Sequence, residues 1–148
     1  MSMKNLYELA LKIANDPNPD FAKAGALLEA AHDSGDRRAS YALATWYLCG
    51  NAAYPKNLRK AVHLLKLAAK ADLASAHFDL AVSLETGSGI KKSEQAAYRH
   101  FLAAALNGDS DSLTEVGRCL YYGIGVARDR KSAEVWFRRA EALGLNVR

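Results

Sequence analysis

Cysteine and proline are scarce in this chain, and each scarcity excludes a class of structure. The two cysteines, Cys49 and Cys119, lie far apart and at different places in the sequence pattern, whereas a disulfide framework places paired cysteines at matching offsets. We therefore expect two reduced, buried or half-buried thiols in a cytoplasmic protein. The three prolines, Pro17, Pro19 and Pro55, avoid the strongly periodic segments, which is typical of a helical chain because proline interrupts a helix interior.

Long apolar runs are absent as well. No stretch approaches the ~20 apolar residues that a membrane-spanning helix needs. The opening segment carries Lys4, Glu8 and Lys12 within its apolar pattern, so it lacks the unbroken apolar core of a signal peptide. The sequence therefore predicts a protein with neither a membrane span nor a secretion signal.

Charge is unevenly distributed along the chain. The net charge is +4, and 24% of the 148 residues are charged, which is ordinary for a globular protein. Residues 1–36 carry three basic and six acidic side chains, whereas residues 37–72 carry seven basic ones and a single acidic one, Asp72. The basic second segment bears on association with partners rather than on the fold.

The chain also repeats itself about every 36 residues. A small residue is followed by a turn residue and then by a second small residue, at Ala31/Gly35/Ala39, Ala68/Asp72/Ala76 and Ala104/Gly108/Ser112, and in part at Ala140/Gly144. Self-similarity at this period indicates stacked helical units. We therefore predict a single domain, residues 1–148, made of four repeats at approximately 1–36, 37–72, 73–108 and 109–148.

Each repeat is predicted to form a hairpin of two helices. In the second repeat, one apolar stripe runs through Leu43 and Tyr47, and another runs through Leu58 and Leu65, at helical spacing. Glycine favours the turn that ends a helix, and side-chain oxygens cap the next one. The predicted stops are Gly50, Gly87 and Gly123, and the predicted N-caps are Asn57, Ser93 and Asp129. The fold class is therefore all-α, with eight helices in four hairpins and no strands.

Further residues recur at fixed places in the repeats. The fourth copy has Val116-Gly117, Gly123-Ile124-Gly125-Val126, Asp129, Ala133, Trp136, Ala140 and Gly144. The third has Leu80-Ala81, Gly87-Ser88-Gly89-Ile90, Ala97, Ala104 and Gly108, and the second has Leu43, Tyr47, Gly50, Lys60-Ala61 and Ala68. This pattern resembles the Sel-one-like repeat (SLR), a relative of the tetratricopeptide repeat. The first copy is similar mainly from Lys23 to Gly35, so the resemblance covers nearly the whole chain.

The resemblance implies a right-handed α-solenoid of helix-turn-helix hairpins that binds other proteins. SLR proteins serve as adaptors, as parts of signalling or quality-control complexes, and in bacteria sometimes as immunity partners of secreted toxins. Secreted SLR proteins often tie each helix pair with a disulfide. That cysteine pattern is absent here, which argues against an extracellular role.

No catalytic residue, metal site or cofactor is predicted. The four histidines, His32, His63, His77 and His100, lack ligand-type neighbours at helical spacing, and neither HExxH nor CxxC occurs. We interpret them as surface or partly buried helix residues. The glycine loops follow no strand and lack the Lys-Ser/Thr ending of a phosphate-binding loop, so we interpret their glycines as turns.

In solenoids of helix pairs, the first helix of each hairpin usually lines the concave side. Its positions outside the apolar stripe are the predicted partner-binding site: Tyr41, Thr45, Trp46, Phe78, Val82, Glu85, Thr114, Arg118, Tyr121 and Tyr122. Tyrosine, tryptophan and arginine are the residues most often found as binding hot spots. The alternative for Trp46 and Phe78 is packing between repeats, whereas we expect Arg118 and Tyr122 to be exposed.

A basic patch in the second repeat is the other candidate surface. It comprises Arg59, Lys66 and Lys70, with Arg37 and Arg38 nearby in sequence. The patch suits an acidic protein or a nucleic acid, but charges opposite an apolar stripe are also typical of any outer helix. Binding of nucleic acid would in addition favour a stacking aromatic residue, and none lies on this stripe.

The sequence thus predicts a non-enzymatic, cytoplasmic module that binds another protein through its concave groove, as an adaptor or an inhibitor. The sharper hypothesis is a bacterial immunity protein that blocks a toxin domain. The alternative is association with nucleic acid through the basic second repeat. Residues 140–148 contain no polar capping helix, so weak self-association at that end is also expected.

Overall fold

The computed structural model describes residues 4–147, so residues 1–3 and Arg148, which belong to the predicted first and fourth repeats, lie outside the described part. Within that range the chain forms eight α-helices and no strand, as the repeat pattern predicts. The helices are α1 (Lys4–Ala14), α2 (Phe21–Asp33), α3 (Arg37–Cys49), α4 (Leu58–Lys70), α5 (Ala74–Thr86), α6 (Glu94–Leu106), α7 (Asp111–Tyr122) and α8 (Arg130–Ala142). None of these helices is long and apolar enough to cross a bilayer.

The predicted caps set the helix boundaries. At the starts of α4, α6 and α8, a side-chain oxygen accepts a hydrogen bond from the backbone N–H three residues later, and the capping residues are Asn57, Ser93 and Asp129. The predicted stops directly follow α3, α5 and α7 with positive φ, and they are Gly50, Gly87 and Gly123. Both sets of predictions are confirmed. They could be made from the sequence because capping depends only on residues close in the chain.

The helices pack into two compact units, residues 1–71 and residues 72–148. In the first unit α1 packs on α2, α2 on α3, and α3 on α4. In the second unit α5 packs on α6, α6 on α7, and α7 on α8. Each unit therefore contains two of the predicted hairpins, and the grouping of all four in a single domain stays a prediction.

Each unit has a core of alanines and a few larger side chains. Leu28 and Leu65 are completely buried in the first unit. In the second unit Val116 is completely buried and Phe101 is 1% exposed. The alanines at the helix contacts let the axes approach closely, and the larger residues fill the space between them.

Loops pack directly on the preceding hairpin. The ring of Tyr54, between α3 and α4, lies against the backbone of Gly25 in α2, where any side chain would collide with it. In the second unit, Gly125 between α7 and α8 lies equally close to the backbone of Glu94 at the start of α6. Glycine is therefore required in the loop at Gly125, where the neighbour is backbone and φ is +69°, whereas a side chain at Gly25 in the helix would force the Tyr54 ring to move.

Candidate functional site

Four of the predicted partner-binding residues come together in the second unit. Thr114, Arg118, Tyr121 and Tyr122 of α7 line one cavity of about 370 Å³. Its remaining lining residues come from α8 and the segment after it, and they are Glu134, Phe137 and Val147. The structure therefore places this part of the predicted set around a real concavity, which we call the α7 pocket.

Two tyrosines form the aromatic side of the α7 pocket. The rings of Tyr121 and Tyr122 lie 4.9 Å apart between centroids, at an interplanar angle of 73°. Tyr122 is 68% exposed, and the guanidinium of Arg130 lies 4.6 Å from the centroid of the Tyr121 ring. An exposed tyrosine supported edge-on by a second ring offers a rigid contact surface with little entropy to lose on binding.

Arg118 is the fixed charge of the α7 pocket. Its Nη2 lies 2.8 Å from Glu85 Oε2 of α5 and 2.7 Å from Glu115 Oε2 one turn earlier. Burial disfavours the charged guanidinium, but the hydrogen bonds to Glu85 and Glu115 outweigh it, so the pKa of Arg118 is raised above its ordinary value. Arg118 is thus half-buried and clamped by two carboxylates, which corrects the expectation that it is exposed, and the predicted site residue Glu85 is one of its clamps.

The other two predicted residues of the second unit are divided between packing and surface. The ring of Phe78 meets that of Phe101 in α6 at 5.7 Å and 68°, so it contributes to the α5–α6 hairpin. Val82, one helical turn later, is 40% exposed. Phe78 is half-buried, but it packs within its own repeat and not between repeats as the packing alternative describes, while Val82 lies at the surface.

In the first unit, the predicted residues lie on α3. The Trp46 ring is held edge-on between Phe21, at 5.5 Å, and Tyr54, at 5.4 Å. Thr45 donates its hydroxyl to the backbone oxygen of Ala42, and Tyr41 is half-buried. Trp46 therefore belongs to an aromatic cluster within its own unit, as the packing alternative describes.

The basic patch divides into two arginines that neighbouring side chains hold and three exposed cations on α4. Arg38 Nη2 lies 2.8 Å from Asp36 Oδ2, and Arg38 Nη1 lies 3.1 Å from Glu8 Oε1. Arg37 Nη1 donates to the buried hydroxyl of Ser40 at 2.9 Å. These two arginines are thus engaged within the first unit. Among residues 4–147, the exposed members of the patch for which no ion pair is found are those of α4, namely Arg59, Lys66 and Lys70.

One cluster of titratable side chains was not predicted from the sequence. His77 Nδ1 in α5 lies 2.9 Å from His100 Nδ1 in α6, and His77 Nε2 lies 3.1 Å from Asp72 Oδ1. Asp72 has a positive φ of 56° at the position that Gly35 and Gly108 occupy in other repeats. Burial, and then the charge of His77, lower the pKa of His100. The signal available in the sequence was the departure of Asp72 from the glycine of the repeat.

The two thiols differ in their exposure to solvent. Cys119 is buried in α7 as expected, but Cys49 is exposed, which corrects the expectation that both are buried or half-buried. Cys49 is the last residue of α3 and lies beyond its packed stripe. Within residues 4–147, no three His, Cys, Asp or Glu side chains are placed to hold a metal ion.

Comparison with known proteins identifies the repeats. The model of the Sel1 repeat family matches residues 37–73, 74–109 and 110–145. These boundaries agree with the predicted second, third and fourth repeats to within a few residues. The first hairpin lies outside the match, in keeping with its weaker pattern.

One similar sequence and two similar structures illustrate the likeness to known proteins. DAP3-binding cell death enhancer 1 of Rattus norvegicus is 36% identical over 95 residues, which are 64% of this chain and 18% of that protein. The protective antigen c5321 of uropathogenic Escherichia coli, which displays an SLR fold, is 27% identical with a TM-score of 0.91, over 97% of this chain and 31% of that one. The immunity protein Pa5087 of Pseudomonas aeruginosa is 21% identical with a TM-score of 0.67, over 96% and 53%. The chain therefore spans only a minor part of the first two proteins.

Proposed function

The chain belongs to the Sel1 repeat family, and we propose that it is a non-enzymatic module that binds another protein through the α7 pocket, as an adaptor or an inhibitor. The observation that carries this proposal is the convergence of Arg118, Tyr121 and the exposed Tyr122 on one concavity. A rigid aromatic pair beside a fixed guanidinium is the composition of a binding hot spot.

The sharper form of the proposal is an immunity protein that occupies and blocks a toxin domain. The structural similarity to Pa5087, named an immunity protein, supports this form at the level of the fold. An inhibitor needs a preformed surface rather than a catalytic set, and the clamped Arg118 provides one. Cytoplasmic location is part of the same proposal, and fractionation of native cells tests it.

The test compares two exposed side chains. Affinity purification from native cells is done with the parent protein, with Tyr122→Ala and with Leu106→Ala. Leu106 is 70% exposed on α6 and lies outside the α7 pocket, so it is the matched control. We expect one stoichiometric protein partner. Tyr122→Ala should bind it about 30-fold more weakly, as for a hot-spot residue, and Leu106→Ala should leave the affinity unchanged. Equal binding by both variants would remove the α7 pocket from the proposal.

The inhibitor form has its own test. Deletion of the gene should make cells sensitive in competition with neighbouring cells, and the captured partner should be a toxin domain. A set of partners from one pathway, without such sensitivity, would support the adaptor form instead. Weak self-association through residues 140–148 stays a prediction, and a monomeric mass in light scattering at high protein concentration would contradict it.

The alternative function is association with nucleic acid through α4. It is favoured by one observation, the exposure of Lys66 and Lys70 one turn apart, neither of them ion-paired to any residue that the structure describes. Because phosphate contacts release counterions, such binding would weaken steeply with salt. A salt-dependent shift with RNA or DNA that is abolished by Lys66→Glu with Lys70→Glu would support it, and the absence of any shift at low salt would exclude it.

A further inference from the structure

A second concavity lies in the first unit, on helices that the α7 pocket does not use. Helices α2, α3 and α4 line an open cavity of about 490 Å³. Its floor is apolar and consists of Leu43 and Leu64, which are 3% and 7% exposed, together with the half-buried ring of Tyr47. We call this cavity the split-charge groove, because its two sides carry opposite charge.

Its two walls carry opposite charge. Glu29 and Asp33, one turn apart on α2, form the acidic wall. Arg59 and Lys60 on α4 form the basic wall, and His63 follows one turn after Arg59. All five side chains are on exposed residues. A groove with an apolar floor and one charge sign on each side is thus built from three consecutive helices.

The charges of the two walls do not neutralise each other. Within residues 4–147, neither Asp33 nor Arg59 forms an ion pair, in contrast to Arg38, which two carboxylates hold. The ammonium of Lys60 lies 5.3 Å from the Tyr47 ring at the floor, and Glu29 accepts a hydrogen bond from Tyr54. The groove therefore keeps opposite charges apart by more than an ion-pair distance, with apolar surface between them.

We propose that the split-charge groove docks an amphipathic helix of a partner protein. The apolar stripe of that helix would lie on Leu43, Tyr47 and Leu64. Basic residues along one flank would face the acidic wall, and acidic residues along the other flank would face the basic wall. Charge complementarity selects this occupant: a nucleic acid or a purely acidic segment would meet Glu29 and Asp33, and a purely basic segment would meet Arg59 and Lys60. The spacing of one helical turn within the acidic wall matches charges at i and i+4 of the docked helix.

The probe is a synthetic helical peptide with blocked ends. It carries leucines at i, i+4 and i+7, lysines along one flank and glutamates along the other. Binding to the full chain is followed by NMR of the leucine methyl groups at low salt. We expect saturable shifts at Leu43 and Leu64, and weaker binding by matched peptides with lysine or with glutamate on both flanks.

Charge reversal of the walls gives the sharpest comparison. Glu29→Lys with Asp33→Lys should weaken peptide binding about 3- to 10-fold, as should Arg59→Glu with Lys60→Glu, since each replaces rim attractions by repulsions. Combining all four substitutions should restore binding, because the peptide can lie in the reverse direction and meet the exchanged walls. Asp33→Lys alone serves if the loss of the Glu29 contact with Tyr54 unfolds the first variant, and thermal melts check each fold.

Control variants separate this surface from others. Lys66→Glu with Lys70→Glu lies on the same helix outside the groove and should leave the affinity unchanged, as should Tyr122→Ala in the α7 pocket. The proposal is overturned if the methyl groups of Leu43 and Leu64 do not respond. It is equally overturned if wall reversal leaves the affinity unchanged, or if a peptide of single charge sign binds as tightly as the mixed one. None of these outcomes depends on the α7 pocket having a partner.

Discussion

Replacing Gly117 by alanine should destabilise the protein, although the same change stabilises most helices. Gly117 lies inside α7, and a Cβ placed there would come 2.6 Å from Cε1 and 2.7 Å from Cδ1 of Phe137 in α8. Phe137 is 9% exposed, so its ring has little free space into which to move. The ring therefore lies directly on the backbone of α7, and a methyl group at position 117 would force the ring to move.

The expected magnitude is the difference between two opposed effects. Alanine gains about 1 kcal/mol over glycine in a helix interior, whereas overpacking a buried contact costs about 1–3 kcal/mol. We expect a net loss of about 1 kcal/mol in the free energy of unfolding, measured by urea denaturation with circular dichroism. Because Phe137 and Arg118 line the same pocket, partner binding should weaken as well.

The same substitution in a Phe137→Leu protein tests whether the Phe137 ring causes the expected loss. The second repeat has Ala44 and Leu65, both completely buried, at the positions of Gly117 and Phe137. In a Phe137→Leu protein, Gly117→Ala should therefore stabilise by up to about 1 kcal/mol, giving a coupling of about 1–3 kcal/mol between the two sites. If the effects of Gly117→Ala and Phe137→Leu on the free energy of unfolding are additive, the ring contact does not require glycine. The same conclusion follows if Gly117→Ala alone stabilises the parent protein.

Three other predictions concern buried groups. Ala81→Leu should lower the free energy of unfolding by about 1–3 kcal/mol in denaturation, because Ala81 is completely buried and the helices cannot separate freely. The lowered pKa of His100, caused by burial and then by His77, means that the unfolded chain takes up this proton first. The free energy of unfolding should thus fall as the pH drops below the ordinary histidine value of 6.5, and His100→Leu should flatten that fall. A thiol reagent should modify the exposed Cys49 in the native protein and Cys119 only after unfolding, since burial raises the pKa of Cys119 to about 11.

Controls for these predictions use exposed or small replacements. Ala22→Leu, on an exposed position of α2, should leave the stability nearly unchanged, unlike Ala81→Leu. An unaltered pH profile in His100→Leu would contradict the role of the histidine pair. Equal labelling rates for the two cysteines in native protein would contradict the burial of Cys119.

The fold could be predicted from the sequence because its determinants are local. Helix ends at Gly87 and Gly123 and caps such as Asp129 depend on neighbouring residues only, and the period of the small residues then fixes the stacking. The position of Arg118 in the candidate site followed from the same periodicity. What periodicity does not show is which side chains meet across helices.

The contacts that could not be predicted join residues that are distant in the sequence. Arg38 meets Glu8 thirty residues earlier, and His77 meets His100 twenty-three residues later. The sequence did not decide whether Trp46 is exposed or packed, because its partner Tyr54 lies in a loop that departs from the repeat pattern. The acidic wall of the split-charge groove was not predicted either, because its charges come from the first repeat and face those of the second.

The aromatic cluster around Trp46 makes the first unit observable by itself. The chain has two tryptophans, and the other, Trp136, lies in α8 of the second unit, 5.3 Å from the guanidinium of Arg139. With Trp136→Phe, fluorescence reports the environment of Trp46 alone, and with Trp46→Phe it reports α8 alone. Two denaturation curves measured in this way would show whether the units melt together or in sequence, which is the basic question for any linear array of repeats.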